Sequence, residues 1–145
     1  MTAPGIKFFS TTAHACSYLP GKQAVTLFAD PKTSMDRRLY SELSDLGFRR
    51  SGNYVYRPHC GSCQACVAIR IPIERFTPSR QQLRVWKKNQ DLDVIVGNAL
   101  FSEEHYALYE RYIIARHHDG DMYPPSVEQY ASFLTSDWSE TRFIE

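Results

Sequence analysis

Three cysteines stand at one repeated step in Cys60-Gly61-Ser62-Cys63-Gln64-Ala65-Cys66, and the fourth, Cys16, stands alone near the N-terminus. A Cys-x2-Cys step lets two thiolates from one turn face a single point. A third at the same step forms a three-legged cradle, to which Cys16 can add a fourth sulfur. Four converging sulfurs suit tetrahedral zinc or an iron–sulfur cluster. The alternative is a set of reduced, partly buried cysteines acting as small apolar residues.

Cations form the second constellation. Arg80, Arg84, Lys87 and Lys88 fall at i, i+4, i+7 and i+8, so they share one face of a helix. Like charges at i,i+4 repel slightly, so helix stability does not explain the stripe, whereas a polyanion does. Leu83 and Trp86 are left to pack the other side. The competing reading is a solvated face. Residues 1–90 carry 14 Lys and Arg against 5 Asp and Glu, a balance of +9, and residues 91–145 carry 3 against 11, a balance of −8. A basic block draws phosphate backbones by counterion release, which puts nucleic acid first among partners. Alternatively, the two blocks neutralise each other within the fold.

The third constellation is Tyr106, Tyr109 and Ile113 at helical spacing, followed by Arg116, His117 and His118. The stripe suits aromatic core packing. The cations favour the negative end of a helix dipole or bind an anionic ligand. Neither histidine has a partner at a familiar zinc spacing.

The elements that must position these residues read as mixed α and β. The chain has 145 residues, 43% apolar and 13% aromatic, which suits a modest globular domain. No run approaches the roughly 20 apolar residues of a membrane span, and the N-terminus lacks a signal-peptide pattern. With clustered cysteines, this favours a reducing, cytoplasmic setting. The pattern predicts a strand over 25–29 and a helix over 35–46, capped by Thr33 or Ser34 and stopped at Gly47. Strands over 53–57 and 66–73 would form a hairpin with the thiols at its tip. Thr77-Pro78 would open a helix reaching Asn89. A strand over 92–96 follows, then helices over 102–117, with Ser102 as cap, and 127–134. Residues 141–145 look like a strand without obvious partners, which suggests the N-terminal part of a longer protein.

Several segments in one order resemble a known family. They are Cys16-Ser17-Tyr18-Leu19-Pro20-Gly21, Tyr54-x-Tyr56-Arg57-Pro58, the cysteine triplet with Arg70, Phe76-x-Pro78-Ser79 with its basic helix, and Tyr109-x-Arg111-Tyr112 with Arg116-His117. Together they resemble the bacterial aspartate/glutamate leucyltransferases, relatives of the eukaryotic arginyl-tRNA–protein transferases. The resemblance runs from Ala13 onward.

The resemblance implies an α+β fold. A cysteine-bearing region over 1–75 would join the start of an acetyltransferase-like domain over 76–145, incomplete at its C-terminus because the family's proteins are longer. It implies transfer of leucine from leucyl-tRNA to the α-amine of proteins beginning with Asp or Glu, marking them for the N-degron pathway. The partners would be leucyl-tRNA and such proteins, with no membrane. Recognition of an acidic residue calls for a cation, with Arg70 first, then Arg116 and His117. Arg80, Arg84, Lys87 and Lys88 would hold the tRNA backbone. Cys16, Cys60, Cys63 and Cys66 are the candidate metal or cluster ligands, and transfer itself requires no cofactor. No ATP site is needed, because the aminoacyl ester is already activated, and no Gly-x4-Gly-Lys-Ser/Thr loop is present. No catalytic residue stands out. The readings outside the enzyme class are a metal-stabilised RNA-binding module and a redox sensor.

Overall fold

Short strands are joined by local turns around one α-helix up to Pro58. The computed structural model describes residues 5–145. Strands β1 (Phe8–Ser10), β4 (Thr26–Ala29), β6 (Tyr54–Pro58) and β5 (Arg49–Ser51) form an antiparallel sheet in the order β1-β4-β6-β5. Strands β2 (His14–Ala15) and β3 (Gln23–Ala24) make a separate two-stranded ribbon. Helix α1 (Arg37–Asp45) lies between β4 and β5 in sequence.

Period-2 alternation gives the sheet its core face. Ala29 and Val55 are buried there with Leu43 of α1 and Phe48, and Leu27, Leu39 and Tyr40 pack around them. The expected helical stripe thus holds at Leu39 and Leu43, whereas Leu46 is exposed. The cap differs from expectation. Asp36 Oδ1 accepts the Leu39 N–H at 2.7 Å, so the helix starts after Asp36 rather than after Thr33 or Ser34. Gly47, at φ +84°, ends it as expected.

The thiol-tipped hairpin does not form. Residues 66–72 adopt no strand, because both edges of β6 are already filled by β4 and β5. Alternation of Val67, Ile69, Ile71 and Ile73 therefore finds no place beside β6. A 3₁₀ turn (Ile73–Arg75) follows, then helix α2 (Arg80–Lys88). Its cap is Ser79 rather than Thr77: Ser79 Oγ accepts the Gln82 N–H and Gln82 Oε1 accepts the Ser79 N–H, a reciprocal capping box. Leu83 and Trp86 do not pack the other side of α2, since both are exposed. Every residue from 64 to 96 is exposed. Total accessible surface is 12323 Å², against about 7,600 Å² for a compact chain of this mass.

Helix α3 (Glu103–Arg116) begins at the Ser102 cap and helix α4 (Val127–Leu134) at the Ser126 cap. Glu103 and Glu104 in the first turn and Arg116 in the last turn of α3 match the helix dipole. Buried Ile113 and Tyr130 centre the packing here, with Tyr106 and Tyr109 against Tyr130. The last strand is not unpartnered. Strand β8 (Arg142–Ile144) pairs antiparallel with β7 (Val96–Asn98), matching Gly97 to Phe143. This pairing also places β7 later than the expected 92–96.

The β5–β6 turn docks the two halves of the chain. Gly52 donates its N–H to the Phe133 carbonyl at 3.0 Å. Arg50 Nη1 donates to the Gly52 carbonyl and Arg50 Nη2 to the Leu134 carbonyl. Asn53 Nδ2 donates to Asp137 Oδ2 at 2.9 Å, and the Asp137 N–H donates to Asn53 Oδ1.

Candidate functional site

The cysteines come from two loops. Cys16 follows β2, and its N–H donates to the Lys22 carbonyl. Cys60 follows β6, where the His59 N–H donates to the Val25 carbonyl at 2.7 Å and draws this loop to the β3–β4 junction. Cys60 Sγ lies 3.9 Å from the same carbonyl oxygen. Cys16, Cys60 and Cys63 are half-buried, Cys66 is exposed, and all four are free thiols. Among the described residues, no three Cys, His, Asp or Glu side chains converge as a metal centre requires. The spacing-based cradle is not assembled in this arrangement. A zinc or cluster site does not fit the residues as they stand.

Arg70 is not a free cation. Its guanidinium pairs with Asp45 at the end of α1, with both side chains well exposed. The pair tethers the irregular 60–72 segment to α1, next to the cysteine turn. Arg116 lies at the other end of the architecture, exposed in the last turn of α3. His117 is the C-cap of that helix, and its Nε2 lies 3.1 Å from the Tyr112 hydroxyl. No hydrogen bond or ion pair links Arg70 to Arg116 or His117 among the described residues.

The basic stripe is placed as its spacing predicts. Arg80 opens α2, Arg84 lies one turn on, and Lys87 and Lys88 occupy the last turn. All four are exposed, and none forms an ion pair among the described residues. Among the described residues no ion pair joins the basic half to the acidic one. Arg38–Glu42 and Arg70–Asp45 lie within the basic half, and His105–Glu145 and Arg142–Glu140 within the acidic half. The electrostatic contrast read from the sequence therefore reaches the surface.

The tyrosines behave as the core reading predicts. Tyr109 Oη donates to Gln129 Oε1 at 3.3 Å, tying α3 to α4. Burial, then the charges of Glu110 and Glu128, pushes the Tyr106 phenol above its ordinary value. Burial, then the neighbouring Tyr106, does the same to Tyr109, and burial alone raises Tyr130.

One surface escaped the sequence reading. Phe9, Phe28, Tyr54 and Tyr56 line a cavity of about 700 Å³ on the face of the sheet away from the core. Alternation within 26–29 and 54–58 could have placed Phe28 on one face and Tyr54 with Tyr56 on another. Only the pairing of β4 with β6 makes these faces one surface.

Known proteins decide what this arrangement belongs to. Residues 14–84 match the family model described as the N terminus of arginine-tRNA-protein transferase. An aspartate/glutamate leucyltransferase of Hahella chejuensis is 56% identical over 138 residues, 95% of this chain and 59% of that protein. Those of Pseudomonas fluorescens (strain Pf0-1) and Saccharophagus degradans are 54% and 51% identical over 140 residues, 97% of this chain. Over 95% or more of its length the chain is similar to the leucyltransferase branch of this family. It spans about 60% of the length of the curated relatives it matches. No solved structure matches it at a significant level. The matched family region holds all four cysteines, Arg70, Arg80 and Arg84. Lys87, Lys88, Arg116 and His117 lie beyond that region but inside the span shared with the relatives, which leaves out at most 7 residues of the 145.

Proposed function

We propose that the protein transfers leucine from leucyl-tRNA to the α-amine of proteins that begin with Asp or Glu. The observation that carries this reading is identity above 50% with aspartate/glutamate leucyltransferases across 95% or more of the chain. In this reaction the neutral α-amine attacks the carbonyl carbon of the aminoacyl ester. A C–N bond forms, the C–O bond to the terminal ribose breaks, and the proton lost by the amine ends on the ribose oxygen. The ester supplies the driving force, so the protein's task is to place two substrates together and stabilise a transient oxyanion.

The free cations of α2 support tRNA binding, because Arg80, Arg84, Lys87 and Lys88 can each meet a phosphate without first breaking an ion pair. Arg70 is the proposed receiver of the acidic first residue. The acceptor's carboxylate would replace that of Asp45, an exchange between two exposed carboxylates that costs little. Arg116 and His117 form the second candidate pair for the same role. In this reading residues 76–145 open an acetyltransferase-like domain, the protein works in the cytoplasm, and leucylation marks its targets for the N-degron pathway. No step of the transfer passes through zinc or a cluster at Cys16, Cys60, Cys63 and Cys66.

The test is transfer of labelled leucine from leucyl-tRNA to peptides starting with Asp, Glu or Ala. This chain is assayed alone and extended to its relatives' length. Transfer to the Asp and Glu peptides only supports the reading. Absence of transfer by both forms, or equal transfer to the Ala peptide, overturns it.

A further inference from the structure

An antiparallel sheet with one face on the core ordinarily turns polar residues to solvent. This sheet does the reverse. Its register places Phe9 opposite Phe28, Phe28 opposite Tyr56, and Tyr56 opposite Arg49. One row therefore crosses all four strands, three rings and then a guanidinium, over about 14 Å at the usual strand spacing. Tyr54 stands beside the row, paired with Ser51. Phe28 stacks on Tyr56 at 5.5 Å and 30°, and meets Tyr54 edge-on at 6.2 Å. Phe9 and Tyr54 are 54% and 56% exposed, so their ring faces are open.

The chemistry around the rings narrows the occupant. No carboxylate lines the cavity, and its polar groups are hydroxyls, such as those of Ser51, Tyr54 and Tyr56. The carboxylate nearest in sequence, Asp30, accepts the Lys32 backbone N–H at 2.9 Å. Arg49 has no ion-pair partner among the described residues. An aliphatic or lipid partner would leave the guanidinium and hydroxyls unsatisfied. A short acidic peptide would use Arg49 but has no need of three rings. Flat bases joined by phosphates use all of it: bases stack on rings, the hydroxyls meet base edges or ribose, and Arg49 meets a phosphate.

We propose that this outer face, centred on Phe9, Phe28 and Tyr56 with Arg49 at its end, is a stacking platform for the unpaired bases of an RNA strand. The inference deepens the proposed function and rests on it for the choice of RNA over DNA; the stacking geometry does not depend on it. The platform would hold single-stranded nucleotides while α2 holds the backbone of a paired region.

The test is fluorescence anisotropy with a labelled unpaired RNA heptamer and a blunt RNA hairpin of equal charge, using this chain without any leucine. Phe9→Ser and Tyr54→Ser each weaken the heptamer about 5-fold or more, the loss of one base stack, and leave the hairpin unchanged. Tyr54→Phe retains heptamer binding. Arg49→Gln lowers the salt slope for the heptamer by about 0.7. Phe9 and Tyr54 are the most exposed members of the platform, and matching circular dichroism confirms that the variants fold. As a measurement that needs no variant, 5-iodouridine RNA cross-links to Phe9, Phe28, Tyr54 or Tyr56. Equal affinity for both RNAs with no effect of the serine variants overturns the proposal, as do cross-links confined to α2. Displacement of the RNA by an Asp-starting peptide, or variants that abolish only self-association, overturn it too. None of these readouts involves transfer, so failure here leaves the leucyltransferase reading standing, and failure of transfer removes only the choice of RNA over DNA and leaves the stacking platform standing.

Discussion

Replacing Gly52 by alanine should damage this fold far more than the same change at Gly21, although both glycines have positive φ, +57° and +72°. The left-handed region costs a side chain about 1–2 kcal/mol at either position. At Gly21 nothing lies within 4 Å of the new methyl group, so that cost is the whole effect. At Gly52 the methyl would sit inside contact distance of the Ser132 carbonyl oxygen and 3.1 Å from its carbon. Backbone cannot rotate away as a side chain can, so α4 must move off the hairpin. Overpacking adds about 1–3 kcal/mol. Loss of the Gly52 N–H bond to Phe133 adds about 1 kcal/mol. The sum is about 4.5 kcal/mol, or about 9–18 °C in Tm, against about 3–6 °C for the roughly 1.5 kcal/mol of Gly21→Ala. Thermal and urea unfolding followed by circular dichroism reads both. Equal losses for the two variants would refute the close approach of α4 to the β5–β6 turn.

Three further outcomes follow from the same geometry. Changing Arg80, Arg84, Lys87 and Lys88 to glutamine should lower the salt slope of tRNA binding by about 3–4. Stability should stay within about 0.5 kcal/mol, because α2 has no buried residue; a slope that does not move would remove the helix from the interface. The tyrosines set an alkaline limit. Tyr106, Tyr109 and Tyr130 have phenols raised in the folded state, so their contribution is complete below the unfolded value, about pH 10, and is lost as pH rises from there through the folded values. Unfolding midpoints should fall above about pH 10, and less steeply in Tyr130→Phe; a flat profile would contradict the packing of α3 on α4. Arg70→Ala should raise KM for Asp-starting peptides and leave tRNA affinity unchanged, and Asp45→Asn should change stability by less than about 1 kcal/mol. A steady KM in the first would sink the assigned role.

What the sequence disclosed depended on how local the cause was. Helices α3 and α4 are legible because Ser102 and Ser126 sit next to periodic apolar residues, and a cap acts within three residues. Helix α2 is legible but slips by two residues, because the Ser79–Gln82 reciprocal bonds outcompete Thr77-Pro78. Strands β1, β2, β3 and β5 have only two or three residues each, and pairing rather than propensity makes them. Arg49, Arg50 and Ser51 carry no strand signal at all. The apparent strand at Val67, Ile69, Ile71 and Ile73 shows the converse, alternation without a place beside β6. Site residues divide in the same way. The α2 cations follow from helical period alone. The Arg70–Asp45 pair and the Phe9–Phe28–Tyr56–Arg49 row depend on contacts between distant segments, which no spacing encodes.

The central claim is the identity of both donor and acceptor. It is tested most directly by offering an Asp-starting and an Ala-starting reporter together to the protein at its relatives' length, with a mixture of all aminoacyl-tRNAs, and reading the reporters by mass spectrometry. The account predicts a gain of one leucyl residue at the N-terminus of the Asp reporter, with the Ala reporter unchanged. A gain of arginine instead, or modification of the Ala reporter, would contradict it.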